Sequence, residues 1–250
     1  MERRRFVKHV SGMAALLGLT PNDLLAAFQN QPAWKLQMID DTAGIFTERG
    51  GSILFVVTKE GLVIVDSQYK DQSQHFIEAI VKEQAGKPFV KLVNTHHHLD
   101  HSGGNISFKG LVPHVLAHAN SKINQQNVAV ARKIEDQQLY PDQTYTDTWC
   151  EKIGKEKLCL NYYGAAHTNG DSLVHFEHAN IAHMGDLVFN RIYPNIDRPA
   201  GASIRNWIPV LEKCYAKLDK KTKVICGHSL QPEGIVTNRE TLLEMRNYLS

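Results

Sequence analysis

"NTHHHLDHSGGN", residues 94–105, sets four histidines and an aspartate between positions 96 and 101. The run follows "PFVKLVNT" (88–95), an apolar stretch that reads as a strand and stops where the histidines begin. Side chains two apart on an extended chain point the same way. His96 and His98 can therefore close on one ion, while His97 between them points away. Asp100 and His101 come after the chain turns and can serve a second ion beside the first. The glycines at 103 and 104 let the backbone turn tightly close to the metals.

Two ions need more donors than this run supplies. Zinc takes about four ligands, with one position left to water at a catalytic site. Three later residues stand at strand ends or beside glycine: His167 in "GAAHTNGD", Asp186 in "HMGD" and His228 in "CGHS". His167 completes a three-histidine set with His96 and His98. Asp100, His101 and His228 form the other set. Asp186 can bridge, since its two oxygens suit a metal–metal gap of about 3.5–4 Å. The expected cofactor is a pair of Zn²⁺ ions, although a His/Asp donor set also suits iron or manganese. His114, His118, His175, His178 and His183 fall in strands or turns and read as packed or solvated.

Around this run the chain alternates strands and helices. "WKLQMID", "SILFVVTK" and "GLVIVDS" are strand-like, with breaks between them. "QSQHFIEAIVKEQAG" predicts a helix with Phe76, Ile77, Ile80 and Val81 on its apolar face. "SKINQQNVAVARKIE", "SIRNWIPVLEKCYAKL" and "TNRETLLEMRNYL" predict three more. Hairpins in each half, with helices between, predict a two-sheet core flanked by helices. If Gly154-Lys155 form the two-residue turn of a hairpin spanning 145–163, Ile153 pairs with Glu156 and Cys150 faces Cys159. That spacing fits a disulfide, and two free thiols packed as small apolar groups are the other reading.

The 28 basic and 26 acidic side chains leave +2, and the first thirty residues alone carry that excess. The remainder is neutral, which argues against a nucleic-acid partner. No apolar run reaches the roughly 18 residues of a membrane span. "RRRFVK" near the start resembles a twin-arginine export signal. It divides the chain into an N-terminal export segment, 1–30, and a single domain, 31–250, with a periplasmic or exported location. A basic first helix of a cytoplasmic protein is the alternative.

Five features occur in order: "VIVDS" ending near Asp66, H-x-H-x-D-H at 96–101, then His167, Asp186 and His228. This series resembles the metallo-β-lactamase-fold hydrolase superfamily, over roughly residues 35–245. The resemblance implies an α/β fold, an αββα four-layer sandwich with metals at one edge between the sheets. It gives Asp66 a supporting role near the ligands. Asp100 is then the catalytic residue that orients a metal-bridging hydroxide and moves a proton. In β-lactamases of one major subclass a cysteine stands where Asp186 is, and a lysine three residues on grips the substrate carboxylate. Here "GDLVFN" puts Phe189 in the lysine's place. The aspartate is similar to that of glyoxalase II, acyl-homoserine lactonases and the fold's phosphodiesterases. The expected activity is hydrolysis of a small-molecule ester, thioester or lactone. β-Lactamase-like amide hydrolysis, phosphodiester hydrolysis and an inactive zinc-binding protein are the alternatives, in that order. Phe46 in an early hairpin that flaps over the site, and Arg191 and Tyr193 in the loop after Asp186, are candidate substrate contacts.

Overall fold

Alternating side chains give the first sheet two different apolar faces. In the computed structural model, which describes residues 33–250, seven strands lie side by side in chain order. They are β1 (Lys35–Met38), β2 (Ala43–Thr47), β3 (Ile53–Val57), β4 (Leu62–Val65), β5 (Phe89–Val93), β6 (Val115–His118) and β7 (Gln143–Tyr145). The β2–β3 and β3–β4 pairs are antiparallel, and β4 to β7 run parallel. Helix α1 (Lys70–Glu83) crosses from β4 to β5, a four-residue turn of helix, α2 (Leu99–Ser102), follows β5, and α3 (Ala119–Arg132) joins β6 to β7. Ile45, Leu54, Val56 and Val63 face inward, while Phe46 and Phe55 face Phe76 of α1. The buried stripe of α1 is Ser73, Phe76 and Ile80; Val81 is 41% exposed, so that face is narrower than the predicted one.

The second sheet has the order β15-β13-β11-β10-β9-β8. Its strands are β8 (Thr148–Ile153), β9 (Glu156–Asn161), β10 (Leu173–Phe176), β11 (Ile181–His183), β13 (Lys223–Ile225) and β15 (Val236–Asn238). β12 (Phe189–Asn190) and β14 (His228–Ser229) form a separate short parallel pair. Leu158, Leu160, Val174, Phe176, Ile181 and Ile225 meet the inner face of the first sheet in one core. On the other side, α4 (Ile204–Lys217) and α5 (Glu240–Leu249) bury Trp207, Leu211, Leu242 and Met245 against Leu173, Ala182 and Val224. The layers are therefore helix, sheet, sheet, helix, as the resemblance implies. The proposed export segment and the 30/31 boundary lie outside the described residues.

The 145–163 hairpin has the register read from its turn: Ile153 opposite Glu156 and Cys150 opposite Cys159. Gly154 takes φ 61°, a left-handed conformation that glycine enters without penalty. The facing cysteines are joined as a disulfide, with Cα atoms 4.2 Å apart. Cys214 and Cys226 are free and buried. Alkylation after denaturation labels two cysteines without reductant and four with it; four in both cases contradicts the bond. Breaking it removes a short-loop constraint on the unfolded chain, and lowers stability by about 2–3 kcal/mol in urea titrations.

His118 belongs to the fold rather than to a metal. Its ring stacks on Tyr162, and its Nδ1 accepts the Asn120 amide at 3.2 Å, capping α3. Burial lowers its pKa, and accepting that bond requires the unprotonated ring. A lowered folded-state value means full stabilisation above the ordinary histidine pKa of about 6.5, lost as pH falls below it. His118→Asn keeps a capping acceptor without titrating. Its urea midpoint should change less between pH 7.5 and 5 than that of the unmodified protein; equal changes refute the capping argument.

Candidate metal centre

The ligand candidates gather where strands of both sheets end. Asp66 follows β4, His96, His98, Asp100 and His101 follow β5, His167 lies between β9 and β10, Asp186 follows β11, and His228 begins β14. Strand ends are rigid, and the loops leaving them aim the side chains. Asp66 anchors the first loop from a left-handed backbone position, φ 62°. Its Oδ1 accepts the Thr95 amide at 2.8 Å, and its Oδ2 accepts the Thr95 hydroxyl at 2.7 Å.

Three donor groups result among the described residues: His96, His98, His167 and Asp186, then Asp100, His101 and His228, and beside them His97, His98 and Asp197, which shares His98 with the first. In the first, His98 Nδ1 stands 3.1 Å from His96 Nε2 and 2.9 Å from His167 Nε2. In the second, His228 Nε2 lies 3.3 Å from His101 Nε2 and 3.1 Å from Asp100 Oδ2. Asp186 sits between. Its Oδ2 is 3.4 Å from His167 Nε2 and 3.8 Å from His96 Nε2. Its Oδ1 is 3.1 Å from His101 Nε2 and 3.5 Å from His228 Nε2. One carboxylate thus turns one oxygen to each of the first two groups.

The remaining ring nitrogens of four of these histidines are occupied elsewhere. His101 Nδ1 donates to Asp66 Oδ2 at 2.7 Å, and His98 Nε2 to Asp197 Oδ2 at 2.8 Å. His167 Nδ1 donates to the Asn195 carbonyl at 2.8 Å. His96 Nδ1 meets the Thr95 hydroxyl at 3.0 Å, which itself donates to Asp66. Asp66 therefore holds His101 directly and His96 through Thr95. His98 is held by Asp197. With their outer nitrogens donating, His96, His98 and His167 turn lone pairs toward one another, and no pattern of hydrogen bonds satisfies all three. Four donors about 2.0–2.1 Å from a tetrahedral zinc stand roughly 3.3 Å apart, near the spacing found here. Asp186 Oδ1, buried and without a hydrogen-bond partner, is a further position that a cation satisfies. The residues fit a metal pair.

Electrostatics agree with ligation. Burial pushes the His96 imidazole well below its usual pKa and that of His167 to about 4, leaving both neutral and able to ligate. Burial opposes charge on Asp100, but the neighbouring His101 and His228 outweigh it and hold its carboxyl at about 2. Asp186 is held well below the usual carboxylate range: burial opposes this, and His101 and His228 override it. His101 moves the other way; burial disfavours its charge, but Asp186, Asp100 and Asp66 raise its pKa well above the ordinary value. A metal binding there displaces that proton.

Close backbone approach makes room for the centre. A Cβ on Gly227 would overlap Asp186 Oδ1, and one on Gly51 would overlap the His101 ring. Gly51 also ties the β2–β3 turn down: its amide donates to the Asp100 carbonyl at 3.1 Å, and its carbonyl accepts from Gln68 Nε2. Ser52 adds an amide bond to the Gly227 carbonyl at 3.1 Å. The expected flap is therefore a short turn pinned over the second group. Phe46 is corrected as a substrate contact: it is fully buried, on the face of β2 that packs edge-on against Phe76. Strand alternation places it there, opposite to the inward Ile45. Arg191 and Tyr193 line a neighbouring cavity together with Phe189.

His97 is buried beside the first group, with both ring nitrogens lacking hydrogen-bond partners. It borders a hollow with Asn124, Asp197 and Pro199, and its Nε2 lies 3.6 Å from Oδ2 of Asp197, the acid that holds His98. Asp197 was missed by sequence reasoning. It lies in the same loop as Arg191 and Tyr193, but its partner His98 is 99 positions away, and no spacing rule links them.

This constellation on an αββα scaffold defines a metal-dependent hydrolase, and the chain belongs to the metallo-β-lactamase superfamily, whose family model matches residues 46–228. Among curated relatives, it is 26% identical over 192 residues to metallo-beta-lactamase IND-1 of Chryseobacterium indologenes, covering 75% of this chain and 76% of that one. It is 22% identical over 224 residues to a metallo-beta-lactamase type 2 of Elizabethkingia meningoseptica, covering 86% of each. Its fold matches the solved metallo-beta-lactamase from Pontibacter korlensis with a TM-score of 0.71 at 22% identity, over 86% of this chain and 98% of that one.

Proposed function

We propose that the protein is a dinuclear zinc hydrolase acting on a small-molecule ester, thioester or lactone. The observation that carries this reading is Asp186, with one oxygen facing each histidine group. His96, His98 and His167 would hold one ion, Asp100, His101 and His228 the other, and Asp186 both. Bound zinc supplies a Lewis acid for the electrophilic oxygen and lowers the pKa of water toward about 7. Asp100, ionised at neutral pH, orients the attacking water and accepts its proton, then returns that proton to the leaving group. Asp66, Asp197 and Asn195 keep the ligating nitrogens free by holding the opposite ones, and partners of this kind typically matter 10- to 100-fold.

Phe189 bears on the substrate. Its ring stacks on His228 at 5.5 Å and 13°, an apolar wall where a β-lactam carboxylate would need a cation. β-Lactam hydrolysis is nevertheless the second reading, because both curated relatives above carry that name. A panel of a thioester, a lactone, nitrocefin and bis-p-nitrophenyl phosphate separates the cases. Turnover of the first two, abolished by a chelator and restored by zinc, is the expected result; efficient turnover of nitrocefin alone reverses the order. Elemental analysis of the purified protein distinguishes zinc from iron or manganese.

We further propose that the protein is exported. The twin-arginine-like start and the Cys150–Cys159 bond both suit an oxidising compartment. Fractionation of cells expressing the chain, with and without an Arg3/Arg4/Arg5 replacement by lysine, tests this; cytoplasmic recovery of both forms opposes it.

A further inference from the structure

Resting on the hydrolase reading, we propose that the cavity beside Phe189 receives a hydrocarbon arm of the substrate. The cavity measures about 510 Å³, within the roughly 300–1,000 Å³ of small-molecule sites. Phe189, Thr241 and Met245, all buried, line its interior, while Leu230, Tyr193 and Tyr248 are exposed by 59%, 85% and 57%. These three large apolar side chains converge on one opening, and the Tyr193 and Tyr248 rings lie 6.2 Å apart. Scattered apolar side chains on a surface need no explanation, but a cluster around a concave site marks binding.

The cavity adjoins the metal centre through one shared residue, and this proximity makes the occupant part of the substrate. Phe189 lines the cavity and also touches both donor groups: its ring stacks on His228 and meets His167 edge-on, each at 5.5 Å. The parallel pairing of β12 with β14 sets this, placing Phe189 opposite His228. Leu230 follows His228 by two residues. A substrate whose carbonyl lies at the histidines has the cavity one ring away. Charge does not select the occupant, because Arg191 and Glu244 both line the cavity with opposite signs. The surface that remains to discriminate is apolar. Ester or thioester acyl chains, or the alkyl arm of a lactone, supply the matching chemistry.

The test uses zinc-loaded full-length protein and p-nitrophenyl esters from acetate to decanoate. Each methylene that enters should raise kcat/KM about two- to fourfold, until the cavity is filled. Leu230→Trp, which narrows the opening, and Tyr193→Ala, which removes a wall, should each flatten this gradient at least about tenfold between acetate and octanoate. Both positions are exposed, so their replacement spares the fold. A terminal carboxylate on the chain should confer no gain. Hydrolysis of every ester at one rate, or a gradient unchanged in both variants, overturns the subsite while leaving the hydrolase reading intact. If no ester is turned over, the ester part of the functional reading fails by itself. Displacement of bound 1-anilinonaphthalene-8-sulfonate by octanol then judges the cavity: displacement weakened in both variants upholds an apolar site, and none in the unmodified protein refutes it.

Discussion

Asp186→Asn should reduce bound metal from two ions to one per chain and lower kcat/KM by more than the about 10- to 100-fold typical of a residue that only orients a ligand. The carboxylate is almost fully buried, and four imidazole nitrogens surround its two oxygens at 3.1–3.8 Å. Asparagine keeps the shape and one oxygen. Its amide nitrogen cannot ligate, and its hydrogens would point at one of the two groups. The buried negative charge that offsets two cations is lost as well, a large penalty in a low-dielectric site. Metal content measured after dialysis, beside steady-state rates, checks both parts. A variant that keeps two metals and a rate within tenfold would show that Asp186 does not bridge.

Asp100→Asn should lower kcat by about 10²–10⁴-fold, the range for loss of a positioned proton-transfer group. Asp100 is ionised at neutral pH because His101 and His228 override the effect of burial. Its Oδ2 lies 3.1 Å from His228 Nε2, so the same residue contributes to the second donor group. The amide retains an oxygen for that purpose but accepts no proton. Metal content should therefore fall less than kcat, and substrates with good leaving groups should be affected least, since they need little protonation. Equal loss across leaving groups, or a loss wholly restored by excess zinc, would reduce Asp100 to a ligand.

Much of the centre could be read from the chain. His96 and His98 share a direction because their spacing is a property of extended backbone. The later candidate ligands were recognisable because each stands in a strand-end or glycine context in the sequence, and their order matches the superfamily. The hairpin register around Gly154 was equally local, and it brought Cys150 opposite Cys159. The partners of these residues were less accessible. Asp66 reaches His101, and Asp197 reaches His98, because loops distant in the chain meet only after the sandwich closes. Phe46 was misplaced for a similar reason. Apolarity shows that a side chain is buried without showing on which face, and a shift of one residue reverses it.

The sequence by itself determined which side chains can bind metal, and that two sheets with outer helices would present them, since backbone periodicity and donor chemistry act over short spans. Only the tertiary structure decided how Asp186 divides its oxygens between the two groups, which acid holds each histidine, and that Phe189 joins the centre to an apolar cavity. Those relations depend on the packing of one sheet against the other and of α5 against the second, which brings residues far apart in the chain within hydrogen-bonding and ring-stacking distance.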